Sequence, residues 1–281
     1  MTRTNITHEF SIRKMGLKIC VCIVAMNPLL APAQDGTASE DELAKQLANP
    51  ISSLISVPIQ FNYDQNIGTE DDGDRVTINL QPVLPFKLNE DWNLISRTIL
   101  PIISQSDIAP GVGSQSGLGD IVQSIWFSPA KPTASGWILG AGPAFLLPTG
   151  SDDLLTADKW AAGPTAIALK QQGPWTYGAL TNHLWSFAGE NSRADVNSTF
   201  MQPFLVYNTQ GGVSYTLQTE TTYNWEDSEW SIPVVFGMGK VTKIGNQAVQ
   251  FFAGVRYWVD SAPSGAEGFG IRLNMILLYP K

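Results

Sequence analysis

From Val213 the chain alternates strictly. Val213, Tyr215, Leu217, Thr219, Thr221, Tyr223 and Trp225 are apolar, aromatic or threonine, and Ser214, Thr216, Gln218, Glu220, Thr222 and Asn224 between them are polar. A period of two places the two sets on opposite faces of a β-strand, each meeting a different solvent. The aromatic residues fall at both ends of a stretch about ten residues long, with smaller residues between. This predicts a membrane-spanning strand with aromatic girdles. Two later stretches repeat the pattern: Val249 to Val259, with Phe251, Val255 and Tyr257 opposite Gln250 and Arg256, and Ile271 to Tyr279, with Leu273 and Met275 opposite Arg272 and Asn274.

Strand-like runs recur near 55–64, 74–86, 92–103, 118–127, 136–148, 160–170, 175–187, 197–207, 212–225, 230–243, 248–259 and 268–279. Twelve is an even number, so the pattern predicts an all-β fold, a closed antiparallel up-and-down transmembrane β-barrel over residues 51–281. Connectors after even-numbered strands are short and those after odd-numbered strands mostly longer. The short set marks the periplasmic end, with both barrel termini there. Seven prolines fall inside strands, at Pro58, Pro82, Pro101, Pro143, Pro164, Pro203 and Pro233. Proline cannot donate to a ladder, so bulges or breaks in the wall are expected.

The amino terminus reads differently. Arg13, Lys14 and Lys18 precede the apolar run Ile19 to Met26 and the small-residue triplet Ala31-Pro32-Ala33, so residues 1–33 read as a secretory signal peptide. Both cysteines, Cys20 and Cys22, lie within it, which excludes disulfides and thiolate chemistry from the mature chain. Residues 34–50 hold the helical candidate: Ser39 as cap, Glu42 three residues on, Leu43 and Leu47 on one face, and Pro50 as the stop. It is either a periplasmic lead-in or a plug for the barrel mouth.

Removing residues 1–33 takes four of the 17 basic residues and one of the 25 acidic ones, leaving a net charge of −11. Nucleic acid is therefore not an expected partner. Seventeen of the mature acids, among them Asp64, Asp120 and Glu226, fall at the predicted outer ends. Such a rim suits divalent cations shared with lipopolysaccharide.

Four charged residues are expected to face the lumen: Arg97, Glu220, Arg256 and Arg272. They brace it, select solutes, or both. Three arginines against one carboxylate predict an anion-preferring waist beneath an acidic vestibule, a combination suited to zwitterionic or neutral polar-aromatic solutes. Tyr215 is assigned to the inner girdle and Tyr223 and Trp225 to the outer one, with Tyr257 and Tyr279 counted as girdle residues as well. His183 is the single mature histidine, and Ser186, three residues on, points to the opposite face of a regular strand. No catalytic residue, metal site or cofactor is predicted, and the chain is not expected to be an enzyme.

Several pieces carry a family resemblance: Asn49-Pro50, Leu54 to Pro58, Gly117-Leu118-Gly119-Asp120, Gly140 to Pro143, Leu147-Pro148-Thr149-Gly150, Gly163-Pro164, Trp185 to Gly189, Gln202-Pro203-Phe204, and Trp230 with Pro233. Together they resemble the putative MetA-pathway of phenol degradation family of bacterial outer-membrane proteins, often labelled transporters. The resemblance implies an outer-membrane β-barrel in a Gram-negative bacterium that handles small organic molecules, aromatic or hydrophobic ones among them. It implies no catalytic residues. The Tyr279-Pro280-Lys281 end departs from the aromatic terminus that the outer-membrane assembly machinery commonly reads. The expected partners are membrane lipids, lipopolysaccharide, that machinery and a small-molecule solute. Two alternative functions are a barrel enzyme acting on lipids and a closed structural or lipopolysaccharide-organising barrel.

Overall fold

The computed structural model describes residues 38–280, so residues 1–33, expected to be a signal peptide, lie outside the described residues. A helix, α1 (Glu40–Leu47), precedes fifteen strand segments: β1 (Ile55–Ile67), β2 (Gly73–Leu80), β3 (Val83–Lys87), β4 (Trp92–Ser106), β5 (Gln115–Leu118), β6 (Ile121–Pro129), β7 (Trp137–Leu147), β8 (Lys159–Gln172), β9 (Trp175–Gly189), β10 (Asn197–Asn208), β11 (Val213–Thr219), β12 (Thr221–Asn224), β13 (Glu229–Ile244), β14 (Gln247–Asp260) and β15 (Gly268–Tyr279). Neighbours pair antiparallel in sequence order, and β15 returns to β1 with Ile55 opposite Tyr279 and Tyr63 opposite Ile271. Closure leaves no edge, which a wall in lipid requires because hydrocarbon offers backbone groups no partner.

Three wall strands are each written in two segments, which reduces fifteen to twelve. Register runs unchanged across the first interruption: Ile59 faces Leu80 and Ser56 faces Val83. Pro58 and Pro82 cannot donate there, so pairing at Gln81 and Pro82 is one-sided, the Gln81 N–H donating to the Pro58 carbonyl, and the register does not slip. Register also holds from Thr219 opposite Val234 to Thr222 opposite Ser231, and the Glu220 N–H donates to the Pro233 carbonyl at 3.1 Å. The third interruption is a true bulge. Ile102 faces Leu118 but Ile99 faces Val122, so one residue is extra at Gly119-Asp120. Pro143 and Pro164 face each other between β7 and β8. Beside them Gly142 and Gly163 lie so close to the neighbouring strands that a Cβ would come within 2.1 Å of the Ile125 carbonyl oxygen and 1.8 Å of that of His183.

The outward face is apolar and exposed, with Leu217, Phe236, Met238, Phe251, Val255, Ile271 and Leu273 among its residues. The inner face divides into an apolar side and a polar side. Ile95, Trp126, Ile167, Leu169, Leu180, Phe204 and Val206 form one internal cluster with Ile51.

The chain enters through the end that carries short turns, such as residues 173–174 and 245–246. Ser39 caps α1 by accepting from the Glu42 N–H at 3.2 Å. Leu43 and Ala44 pack with Leu54, Val241, Ala248, Ile276 and Leu278 on the inner wall. Lys240 pairs with Glu40 at 2.9 Å, and Asp41 accepts the Gly212 N–H. Burying Leu43, Ile51 and Leu54 contributes about 1.5–3 kcal/mol each, enough to seat this segment in the barrel mouth.

At the opposite end one carboxylate organises the loop after β7. Asp120 Oδ1 accepts from the Thr149 and Gly150 N–H groups at 3.1 and 3.0 Å and from Thr156 Oγ1 at 2.7 Å, and Oδ2 accepts from the Ala157 N–H at 2.7 Å. The Gly117 to Asp120 and Leu147 to Gly150 pieces are thus two halves of one contact. Asp120→Ala should raise amide exchange at Gly150 and Ala157 at least tenfold and leave the barrel folded. Hydrogen exchange in detergent micelles measures the first, and heat-modifiable gel mobility the second.

Candidate functional site

A belt of charge crosses the lumen beyond α1. On β1, Gln60, Asn62 and Asp64 alternate inward. Their register partners on β2 are Asn79, Thr77 and Arg75. Arg97 lies on β4, Glu220 between β11 and β12, Arg256 on β14 and Arg272 on β15. The four residues expected from the sequence to face the lumen therefore share one belt.

Their pairing differs from the simple picture of one carboxylate for three arginines. Arg272 clasps Glu220 with two parallel bonds, Nη1 to Oε1 at 2.6 Å and Nη2 to Oε2 at 2.7 Å, and its Nε donates to Asn62 Oδ1 at 2.7 Å. Arg256 pairs instead with Asp64, Nη1 to Oδ2 at 2.6 Å, and stacks 4.6 Å from the Trp258 ring, whose N–H donates to Asp64 Oδ1 at 2.8 Å. Two expectations are corrected here. Glu220 is not the sole carboxylate of the wall, and Asp64, with Arg75 opposite it, belongs to the lumen rather than to the outer rim. The signal was present in the sequence, because Gln60, Asn62 and Asp64 continue one polar series along β1. Length hid it: β1 runs three residues further, to Ile67, than the pattern suggested.

Both pairs are nearly sealed, with Arg272 1 % and Arg256 9 % exposed. Arg97 is half-buried. Its Nη2 donates to Gln81 Oε1 at 2.6 Å, and among the described residues no carboxylate lies within ion-pair distance of it. Arg75 is held by Gln105 through Nε at 2.8 Å. Four arginines therefore face two carboxylates in this belt.

Between the belt and α1 lies a cavity of about 210 Å³. Leu47 of α1, Ala48 after it, and Leu180, Phe204, Val206 and Phe252 of the wall form its apolar sides. Gln81, Gln202, Gln218, Gln250, Arg97 and the carboxylate-paired Arg272 are among its polar lining. Such a site has the composition of a small-molecule pocket, mostly apolar with a few placed polar groups.

The girdle residues take the lipid-facing positions. Tyr215 and Tyr279 are exposed at the short-turn end, and Trp175 with Tyr207, 4.5 Å apart, joins them. At the long-loop end Tyr223 packs against Trp225 and Trp230 at 4.8 and 4.7 Å, and Tyr257 against Phe269 at 4.9 Å.

His183 and Ser186 do not meet. His183 Nδ1 lies 2.7 Å from Thr199 Oγ1 and its ring 3.9 Å from Trp185. Ser186 Oγ donates to Asp195 Oδ1 at 3.1 Å. Lys159 also reaches Asp195, at 2.9 Å. Its hydrogen bond and that of Ser186 hold the Asp195 carboxyl below the usual carboxylate range. No group of His, Cys, Asp and Glu suited to a metal ion occurs among the described residues.

Removing one partner of a sealed ion pair strands the other. Glu220→Ala should cost about 3–5 kcal/mol, whereas Arg97→Ala should cost about 1 kcal/mol or less. Denaturant unfolding of the purified barrel in detergent ranks the two.

No family model matches this chain, and no curated protein matches it either. Solved structures do. The COG4313 outer membrane channel from Pseudomonas putida F1 superposes with a TM-score of 0.64 at 16% identity, covering 81% of this chain and 96% of that one. The β domain of the Bordetella autotransporter BrkA gives a TM-score of 0.46 at 13% identity, over 80% of this chain and 99% of that one. Outer membrane phospholipase A from Escherichia coli gives 0.46 at 10% identity, over 81% of this chain and 98% of that one. At these identities the likeness is one of fold, and the chain is a closed twelve-stranded antiparallel barrel of the outer-membrane type.

Proposed function

We propose that this chain is an outer-membrane channel of a Gram-negative bacterium, passing small organic molecules with an aromatic or hydrophobic body. The carrying observation is the luminal cavity bounded by the plug on one side and the arginine belt on the other. Its mixed lining suits a solute that sheds water from an apolar body while polar groups hold the remainder. The short-turn end and both barrel termini face the periplasm in this reading, and the acidic loops face outward. There they take divalent cations bridged to lipopolysaccharide. The structural likeness to a protein described as an outer membrane channel supports the same reading. So does the resemblance of the sequence pieces to the phenol-degradation family.

The protein is not an enzyme in this reading. A lipid hydrolase would need a nucleophile beside His183, and the hydroxyl that meets this imidazole belongs to Thr199, not Ser186. Ser186 is engaged by Asp195.

Because α1 and the turn after it fill the mouth, their removal should enlarge the conducting path. Protein lacking residues 38–50, reconstituted in planar bilayers, should conduct severalfold more than the full chain. Silence of both forms, together with unchanged uptake of aromatic solutes by a deletion strain, would sink the channel reading.

A further inference from the structure

We propose that the cavity between α1 and the belt is a binding site for small organic monoanions, a carboxylate on an aromatic or short alkyl body, with Arg97 as the residue that takes the carboxylate. The proposal deepens the channel reading by naming the solute class, and it rests on that reading for its role in passage but not for binding itself.

Three observations carry it. The first is the division of labour among the arginines. Arg272 uses all three side-chain nitrogens on Glu220 and Asn62, and Arg256 is paired with Asp64 beneath Trp258. Arg97 borders the cavity, as Arg272 does, but with a single bond, from Nη2 to the neutral Gln81. A guanidinium has five N–H donors in a flat fork that matches a carboxylate, so most of this fork is uncommitted.

The second is that Gln81 orients the fork without a carboxylate in contact, Glu220 acting on Arg97 only from beyond ion-pair distance. Gln81 is itself held, donating from Nε2 to Gln60 Oε1 at 3.1 Å. It stands at the proline-made gap between β2 and β3, with its own N–H donating to the Pro58 carbonyl at 2.9 Å. A neutral acceptor fixes the direction of Arg97 where an aspartate would have neutralised it.

The third is the shape and lining of the space. A cavity of about 150 Å³ lined by apolar side chains accepts benzene, and the 210 Å³ here adds room for a polar head. Leu180, Phe204, Val206 and Phe252 would enclose the body. Gln202 and Gln218 approach from the side of Glu220, where Gln218 Nε2 already donates to Glu220 Oε1 at 3.1 Å. A simple inorganic anion would leave the apolar walls unused, and a neutral body would give Arg97 no carboxylate in contact. An amphipathic monoanion satisfies both.

The test uses the full mature chain in detergent micelles, titrated calorimetrically with 3-phenylpropionate, its neutral analogue 3-phenyl-1-propanol, and acetate. The acid should bind at least tenfold tighter than the alcohol or acetate. Arg97→Met should abolish the preference of acid over alcohol while alcohol binding stays within about twofold. Arg97→Gln serves as a second neutral variant if the first does not give a heat-modifiable barrel, and Arg97→Lys should retain part of the preference. Equal binding of acid and alcohol by the unaltered chain, or a preference that survives in the neutral variants, overturns the proposal. Planar-bilayer recordings separate it from the channel reading. An acid-selective site in a barrel that never conducts overturns passage and upholds the site, and a conducting barrel without acid preference does the reverse.

Discussion

Lipid gives a backbone N–H or C=O nothing to bond to, and this constraint governs the molecule. It forces the strands to close on themselves, and it makes every proline in the wall a cost to be placed with care. The placements are not random with respect to the lumen. Gln81 and Glu220 sit at the two interruptions where prolines remove donors without shifting register, and both turn side chains inward. The interrupted backbone thus lies beside polar side chains in the interior. At those two points the wall presents the groups that hold Arg97 and Arg272.

The same economy of partners explains the belt. A charge in a narrow, partly dry lumen needs compensation, and two of the four arginines find it in carboxylates while two are held by glutamines. Carboxylate pairing neutralises and braces, tying β15 to the β11–β12 strand and β14 to β1. Amide pairing directs without neutralising. The distinction between structural and available charge in this barrel lies in that choice of acceptor.

Below the belt the inner surface turns apolar, because the mouth is closed by chain rather than by water. Leu43, Ala44 and Leu54 complete one apolar wall and Ile51 the other, so the segment that enters the barrel also finishes its core. The cavity is what remains between this seat and the arginines, and its mixed chemistry follows from lying at that boundary.

Much of the architecture was legible in the sequence, since a period of two beside a change of solvent fixes strand, face and, by counting, the closed barrel. Tyr215, Tyr223, Trp225, Tyr257 and Tyr279 could be set outward, and Glu220, Arg256 and Arg272 inward, because alternation decides the face; Arg97, in a stretch apolar on both faces, could be set inward because a charge at mid-depth in lipid is costly. Partners could not be read. Asp64 and Arg256 are 192 positions apart and meet only because β15 closes onto β1 and brings β14 near it. The role of Asp120 was equally hidden, since its four donors come from a loop about thirty residues on. The seating of α1 also depended on which inner-wall residues the closed barrel gathers at its mouth. Local periodicity determines what each residue faces, whereas shear and closure determine what it touches, and the difference between a paired arginine and an available one belongs to the second.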